Sequence, residues 1–178
     1  RACGMKSSTA LPPDRKQLVI CRHAKSSWDD ASLSDVERPL NKRGRRDAPE
    51  MGRRLAERGL LPDLILASHA TRAWTTAEAY ADRLGYPPDR IQVDPGLYTA
   101  TAASLLALVR ALEPRLGRIL LVGHDPECTA FANLLGNLDL DNLPTGGIVA
   151  LEFHTRSWQE ILPGQGQLLF VDFPKNVA

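Results

Sequence analysis

The 178 residues contain no apolar run close to the roughly 20 residues that a membrane-spanning helix needs. The N-terminal stretch also lacks the apolar region of a secretory signal, so a cytoplasmic protein is expected and a membrane is not among the expected partners. Cysteine is scarce: Cys3, Cys21 and Cys128 are odd in number and widely separated. That pattern suits reduced thiols rather than a disulfide framework, and none of the three has metal-site spacing. No metal and no other cofactor is expected. An excess of charge of either sign is missing as well. Lys and Arg number 22 against 21 Asp and Glu, a net charge of +1, so no whole-protein field points to nucleic acid or to an anionic membrane surface. Internal repeats and low-complexity tracts are absent.

What remains is the composition of an ordinary globular domain, with 43% hydrophobic and 24% charged residues. The length fits one domain with one substantial core. Residues 1–16 lack sustained periodicity and carry the adjacent Pro12 and Pro13, which predicts a flexible N-terminal arm with the fold occupying 17–178.

Three short apolar runs, Leu18 to Cys21, Leu64 to Ala67 and Ile119 to Val122, alternate too little to be half-exposed strands. They predict central strands of a covered, largely parallel sheet. Between and after them lie helical patterns: Gly44, Ala48, Met51 and Leu55 share one face, as do Leu105, Val109 and Leu112, and then Cys128, Phe131 and Leu135. Pro49, inside the first pattern, is expected to kink that helix or delay its start. Further strands are predicted at Arg90 to Val93, at Ile148 to Phe153, and in either Trp158 to Leu162 or Leu168 to Phe173. Strands alternating with helices give the α/β class.

In open α/β sheets the ligand site lies beyond the carboxyl ends of the strands. Arg22-His23-Ala24-Lys25-Ser26 follows the first run, Ser68-His69-Ala70-Thr71-Arg72 the second, and Gly123-His124-Asp125-Pro126 the third. Two arginines and two histidines would meet at one edge. A phosphoryl group carries about −1.5 to −2 charge near neutral pH and offers several acceptor oxygens. Arginine presents a permanently charged planar fork to such oxygens, and histidine can attack when neutral or stabilise charge when protonated.

Arg22-His23-Ala24 resembles the Arg-His-Gly signature of the histidine phosphatase superfamily, and Ser68 to Arg72 and Gly123 to Pro126 resemble its later arginine and histidine motifs. Ser34 to Gly44, with Arg38 near its centre, is most similar to the SixA-type phosphohistidine phosphatases. The resemblance spans roughly Gln17 to Phe153. It implies a single-domain three-layer α/β/α sandwich, phosphoglycerate mutase-like, with a mostly parallel central sheet. It also implies metal-independent hydrolysis, with His23 as nucleophile and Arg22, Arg72 and His124 as catalytic and substrate-binding residues around the phosphoryl oxygens. Arg38 is a further substrate-binding candidate, set against a surface charge.

One departure stands out. Relatives carry an acidic residue for the leaving group at a place that aligns with Leu97-Tyr98, and Tyr98 is no obvious replacement. Asp29, Asp30 and Asp125 are the remaining candidates for an acid. An imidazole leaving group needs less proton assistance than an alkoxide, so the departure fits phosphohistidine better than alkyl phosphates. Lys25 and Ser26 are expected at the pocket rim or as solvated loop residues. Ser68 is expected to support the turn before Arg72, His69 to be an exposed loop residue and His154 a strand residue. Trp28 and Trp74 read as packing groups, with the pocket edge as the alternative. Lys42, Arg43, Arg45, Arg46, Arg53, Arg54 and Arg58 read as a solvated helix face balanced by Asp47, Glu50 and Glu57 rather than an acidic-partner site.

The expected substrate is a phosphorylated protein, for example a histidine phosphotransfer protein. The alternatives are a small phosphorylated substrate hydrolysed by the same cradle and a module that binds phosphate without turnover. A phosphomutase is disfavoured, because it must exclude water and the chain offers few segments for a closed lid.

Overall fold

A strand covered on both faces has no wet side on which to place polar residues, and the three unbroken apolar runs accordingly form the middle of the sheet. The computed structural model describes residues 10–177. Its six strands are β1 (Lys16–Arg22), β2 (Leu64–Ala67), β3 (Gln92–Val93), β4 (Arg118–Gly123), β5 (Ile148–Phe153) and β6 (Gln167–Asp172), in the order β3-β2-β4-β1-β5-β6. β3, β2, β4 and β1 pair in parallel, and β5 runs antiparallel to both of its neighbours.

The helices are α1 (Lys42–Glu57), α2 (Thr71–Leu84), α3 (Ala102–Arg110) and α4 (Glu127–Gly136). Alternation along β1 assigns them to faces. Leu18 and Ile20 join Val109 of α3 and Phe131 of α4 in one core, whereas Val19 and Cys21 join Met51 of α1 and Tyr80 of α2 in the other. The architecture is a three-layer α/β/α sandwich with a mostly parallel central sheet.

Several expectations about elements need correction. β1 begins at Lys16, one residue before the expected start of the fold at Gln17. Residues 1–9 of the expected arm, Cys3 among them, lie outside the described residues. Pro49 does not delay α1, which starts seven residues before it, with the Asn41 side chain accepting a hydrogen bond from Gly44 N at 2.8 Å. An interior proline costs about 3 kcal/mol. Complete burial of Met51 and Leu55, at about 1.5 to 3 kcal/mol per side chain, offsets it. α2 is a helix beyond the three that the apolar periodicity predicts. Of the two alternatives for the last strand, Leu168 to Phe173 is the strand, while Trp158–Glu160 is a single 3-10 turn. α3 stops at Arg110, so Leu112 packs on the core from the following loop.

Gly44 matters for the site. A Cβ there would stand 2.1 Å from the Lys25 carbonyl oxygen, so only glycine lets the first turn of α1 lie against the loop that follows β1.

Candidate active site

Parallel register brings the site together before any side chain acts. Arg22, the last residue of β1, is opposite Gly123, the last of β4, and Ala67 of β2 is opposite Val122. Continuing the ladders, His23 N donates to Gly123 O at 3.0 Å and Ser68 N to Val122 O at 3.1 Å. His23, His124 and Ser68 therefore leave three adjacent strand ends side by side, and α2 starts just beyond with Arg72 in its first turn. Tyr98 comes from the end of β3 through the 3-10 turn Pro95–Leu97. The expected quartet of Arg22, His23, Arg72 and His124 lines one pocket of about 490 Å³ together with Arg38, Lys25, Ser26, Asp35, Tyr98 and Asp125.

The histidine rings stand 5.2 Å apart between centroids, and both are buried. His23 Nδ1 lies 2.7 Å from its neighbour Ala24 O. A carbonyl oxygen can only accept, so Nδ1 carries the proton and Nε2 keeps its lone pair. Nε2 has no hydrogen-bond partner among the described residues. His124 Nε2 is 2.9 Å from Ser68 Oγ, which also accepts from Ala70 N at 3.2 Å. Ser68 thus orients His124 as well as supporting the turn into α2.

Burial pushes the His23 imidazole down to about 3, helped by the cationic fields of His124, Arg72 and Arg22 and opposed by the Ala24 hydrogen bond. Burial first and Arg72 second push His124 down to about 4. Both rings are thereby neutral at physiological pH.

Arg22 donates from Nη1 to Leu143 O at 2.7 Å and lies 4.0 Å from Asp125. Arg72 donates to Asp35 O at 2.7 Å and to Asp35 Oδ2 at 3.0 Å. The Nε groups of both arginines are buried and have no protein acceptor among the described residues, donors that an anion in the pocket could satisfy. Arg38 joins the pocket rather than the open surface. It donates to Asp35 Oδ1 at 3.1 Å and to Ser26 Oγ at 2.8 Å, with its guanidinium 3.5 Å from the Trp28 ring centroid. Trp28 covers one face of Arg38 at the pocket edge, and at 73% exposure it is not a buried packing group.

Two further residues complete the site. Asp35, which the motif reading passed over, bridges Arg72 and Arg38, and Tyr98 Oη donates to its Oδ2 at 2.6 Å. The Tyr98 hydrogen bond, followed by those from Arg72 and Arg38, holds the Asp35 carboxyl well below the usual carboxylate range. The same contact pushes the Tyr98 phenol up. Tyr98 also packs edge-on against His124, at 5.4 Å between centroids. The only local signal for Asp35 was its position three residues before Arg38.

Of the candidate acids, Asp29 and Asp30 are exposed and do not line the pocket. Asp125 does line it, but its carboxylate is engaged by the Thr129 amide at 3.0 Å and hydroxyl at 2.7 Å. His69 is exposed and sits 5.3 Å from the Tyr98 ring. His154 lies one residue past β5, exposed, rather than in the strand. Among the described residues no group of three or more His, Cys, Asp and Glu is placed to hold a metal ion, and no helix is long and apolar enough to cross a membrane.

The chain is 32% identical over 153 residues to an uncharacterized chloroplastic protein of Arabidopsis thaliana, covering 82% of this chain and 70% of that protein. Among solved structures, the putative phosphohistidine phosphatase SixA of Agrobacterium tumefaciens superposes with a TM-score of 0.75 at 25% identity, over 93% of this chain and all of that one. The protein histidine phosphatase SixA complexed with tungstate gives 0.77 at 24% identity, over 91% and 99%. Residues 18–100, which carry Arg22, His23, Arg38 and Arg72, match the model of the histidine phosphatase superfamily, branch 1. With that match, the sequence relatives and the shared fold, the chain belongs to the histidine phosphatase superfamily.

Proposed function

We propose that the protein is a metal-independent phosphatase that holds the phosphoryl group covalently on His23 and takes it from phosphohistidine on a protein, such as a histidine phosphotransfer protein. The observation that carries this reading is the state of His23. Its Nδ1 proton is committed to Ala24 O, which leaves the Nε2 lone pair in a pocket shared with Arg22, Arg72 and His124.

In the first step Nε2 forms a bond to phosphorus as the bond from phosphorus to the substrate nitrogen breaks, the electron pair leaving with that nitrogen. The positive charge that develops on His23 rests on the Ala24 carbonyl. Water then attacks phosphorus, the bond to Nε2 breaks with its electron pair returning to the ring, and His23 regains its neutral form as dihydrogen phosphate leaves with both protons of the water. Arg22, Arg72 and His124 bind the equatorial oxygens and Arg38 reaches from the rim, so guanidinium groups supply the neutralisation that phosphoryl transfer requires.

The choice of a phosphoramidate is supported by the state of Asp35 and Tyr98, beside which Glu127 is a further carboxyl lining the pocket. Asp35 is held anionic and the Tyr98 proton is committed to it; neither is poised to protonate a leaving alkoxide. A phosphohistidine whose second ring nitrogen is protonated releases a neutral imidazole and needs no such donor.

The test is to incubate the protein with labelled phosphoramidate in the presence of EDTA, quench, and map the acid-labile label. We expect it on His23 and expect none in His23→Ala. A folded wild-type protein that turns over phosphoramidate without labelling His23 would exclude the covalent route. Faster turnover of sugar or nucleotide phosphates than of a phosphohistidine peptide would exclude the proposed substrate.

A further inference from the structure

The basic residues of α1 fall into two groups with different surroundings. In the second half of the helix, Arg53 pairs with Glu50 and Glu57, and Arg54 pairs with Glu50 and Asp172 while also donating to the carbonyls of Phe173 and Pro174. Those charges are consumed within the fold. In the first half, Arg43 and Arg46 share one carboxylate, Asp47, each at 3.6 Å. The side chain of Arg46 is 75% exposed. Both arginines, with the exposed Lys175, rim a cavity of about 320 Å³ floored by Pro144, Phe173 and Pro174.

This second cavity adjoins the candidate active site. Thr145 lines both, and Arg43 Nη2 donates to its hydroxyl at 3.3 Å. The shared wall is tied directly to the nucleophile, because Gly146 N donates to His23 O at 2.9 Å. Gly146 has φ of 74°, a conformation that glycine adopts without strain. A Cβ there would also meet Pro174 Cγ at 3.0 Å. The active-site side of the wall carries a further cation, Lys25.

We propose that this cavity is a docking site for the polypeptide that flanks the phosphorylated residue of a protein substrate, and that the flanking segment is acidic with an apolar side chain at its centre. The inference rests on the protein-substrate reading above. Charge complementarity selects the occupant, since three cations face one shared carboxylate around an apolar floor. An apolar group seated on Phe173 and Pro174 leaves Arg46 and Lys175 beside the neighbouring residues of the same segment, where they attract carboxylates and favour encounter. A small phosphoramidate reaches the catalytic pocket without touching this surface.

The experiment compares two phosphohistidine peptides, one with Glu and Leu on one side of the phosphorylated residue and its counterpart with Gln in place of Glu, using phosphoramidate as control. For the wild-type protein at low salt we expect kcat/KM to favour the Glu peptide by about tenfold and the preference to shrink in high salt. The double variant Arg46→Glu with Lys175→Glu should lose or invert the preference and keep wild-type turnover of phosphoramidate, since neither residue lines the catalytic pocket. Equal rates on both peptides in the wild type, or an equal loss on phosphoramidate in the variant, overturns the docking site and leaves the phosphatase reading standing. Turnover of phosphoramidate with none of either peptide overturns the protein-substrate reading, and the docking site with it.

Discussion

The floor of the pocket and the loop that overhangs it are held by different means. Arg22, His23, Ser68 and His124 sit at or one residue beyond strand ends, and the parallel ladder sets their spacing to within a hydrogen bond. The overhang, residues 26–40, is closed at its base by Ser27 N donating to Pro39 O at 2.8 Å. Above that point Arg38 and Asp35 fix it through side chains, with Trp28 lying on Arg38. The floor inherits its geometry from topology, and the overhang depends on a few charge-assisted contacts. Changes in the floor should therefore remove function outright, whereas changes in the overhang should loosen it.

The largest effect is expected where the two regions meet. Arg72 reaches from α2 to both the backbone and the carboxylate of Asp35, and His124 stands on Ser68. Arg72→Ala and His124→Ala should each lower turnover of phosphoramidate by on the order of a hundredfold or more, as removal of transition-state donors does elsewhere. Arg72→Ala should be the worse of the two, because it also frees the overhang. Steady-state kinetics on the folded variants decide this, and near-normal turnover in either one would remove that residue from the proposed machinery.

A smaller loss is expected from Asp35→Asn, which keeps the shape of the side chain and removes its charge. Arg72 and Arg38 would lose a common anionic partner that Tyr98 also holds, and hydrogen bonds to charged groups contribute about 1.5 to 3 kcal/mol. Because these contacts position the arginines before substrate arrives, KM should rise by about tenfold with a lesser change in kcat. A fall in kcat as deep as that of His124→Ala would break the distinction and place Asp35 among the groups that act on the transition state.

The same distinction explains what could be read from sequence. An apolar run followed at once by Arg-His, Ser-His or Gly-His marks a strand end and a polar group together, so the floor was legible residue by residue. Asp35 was not, since an acid three residues from an arginine occurs in many loops, and only the position of Arg72 in space makes this one special. α2 escaped for a different reason. Its buried face is built on Ala73, Ala77 and Ala81 with Tyr80 and Leu84, and alanine gives little hydrophobic contrast with the exposed face. Trp158 misled in the opposite sense. Trp158 with Ile161 and Leu162 after it suggests a strand, but the ring is fully buried in a turn and its Nε1 donates to Leu116 O at 2.7 Å. Such a partner is invisible in the local pattern.

The smallest effect separates the two regions by pH. His23 is held at about 3 and His124 at about 4 in the folded protein, mainly by burial, against about 6.5 for an unperturbed imidazole in the unfolded chain. Between those values the unfolded chain binds protons that the native state does not. The two rings therefore add their full share to stability above about pH 6.5, and that share is lost as pH falls through the window. Asp35 behaves otherwise. Its folded carboxyl is depressed, so its contribution persists above about 3.9, the ordinary aspartate value, and disappears only in stronger acid. Urea unfolding midpoints measured from about pH 7 down to about pH 5 should accordingly fall in the wild type. His124→Ala should make the fall shallower while His23 keeps its share, and Asp35→Asn should leave the slope unchanged. A slope that is undiminished in His124→Ala and vanishes in Asp35→Asn would mean that the overhang, not the floor, carries the proton-linked stability.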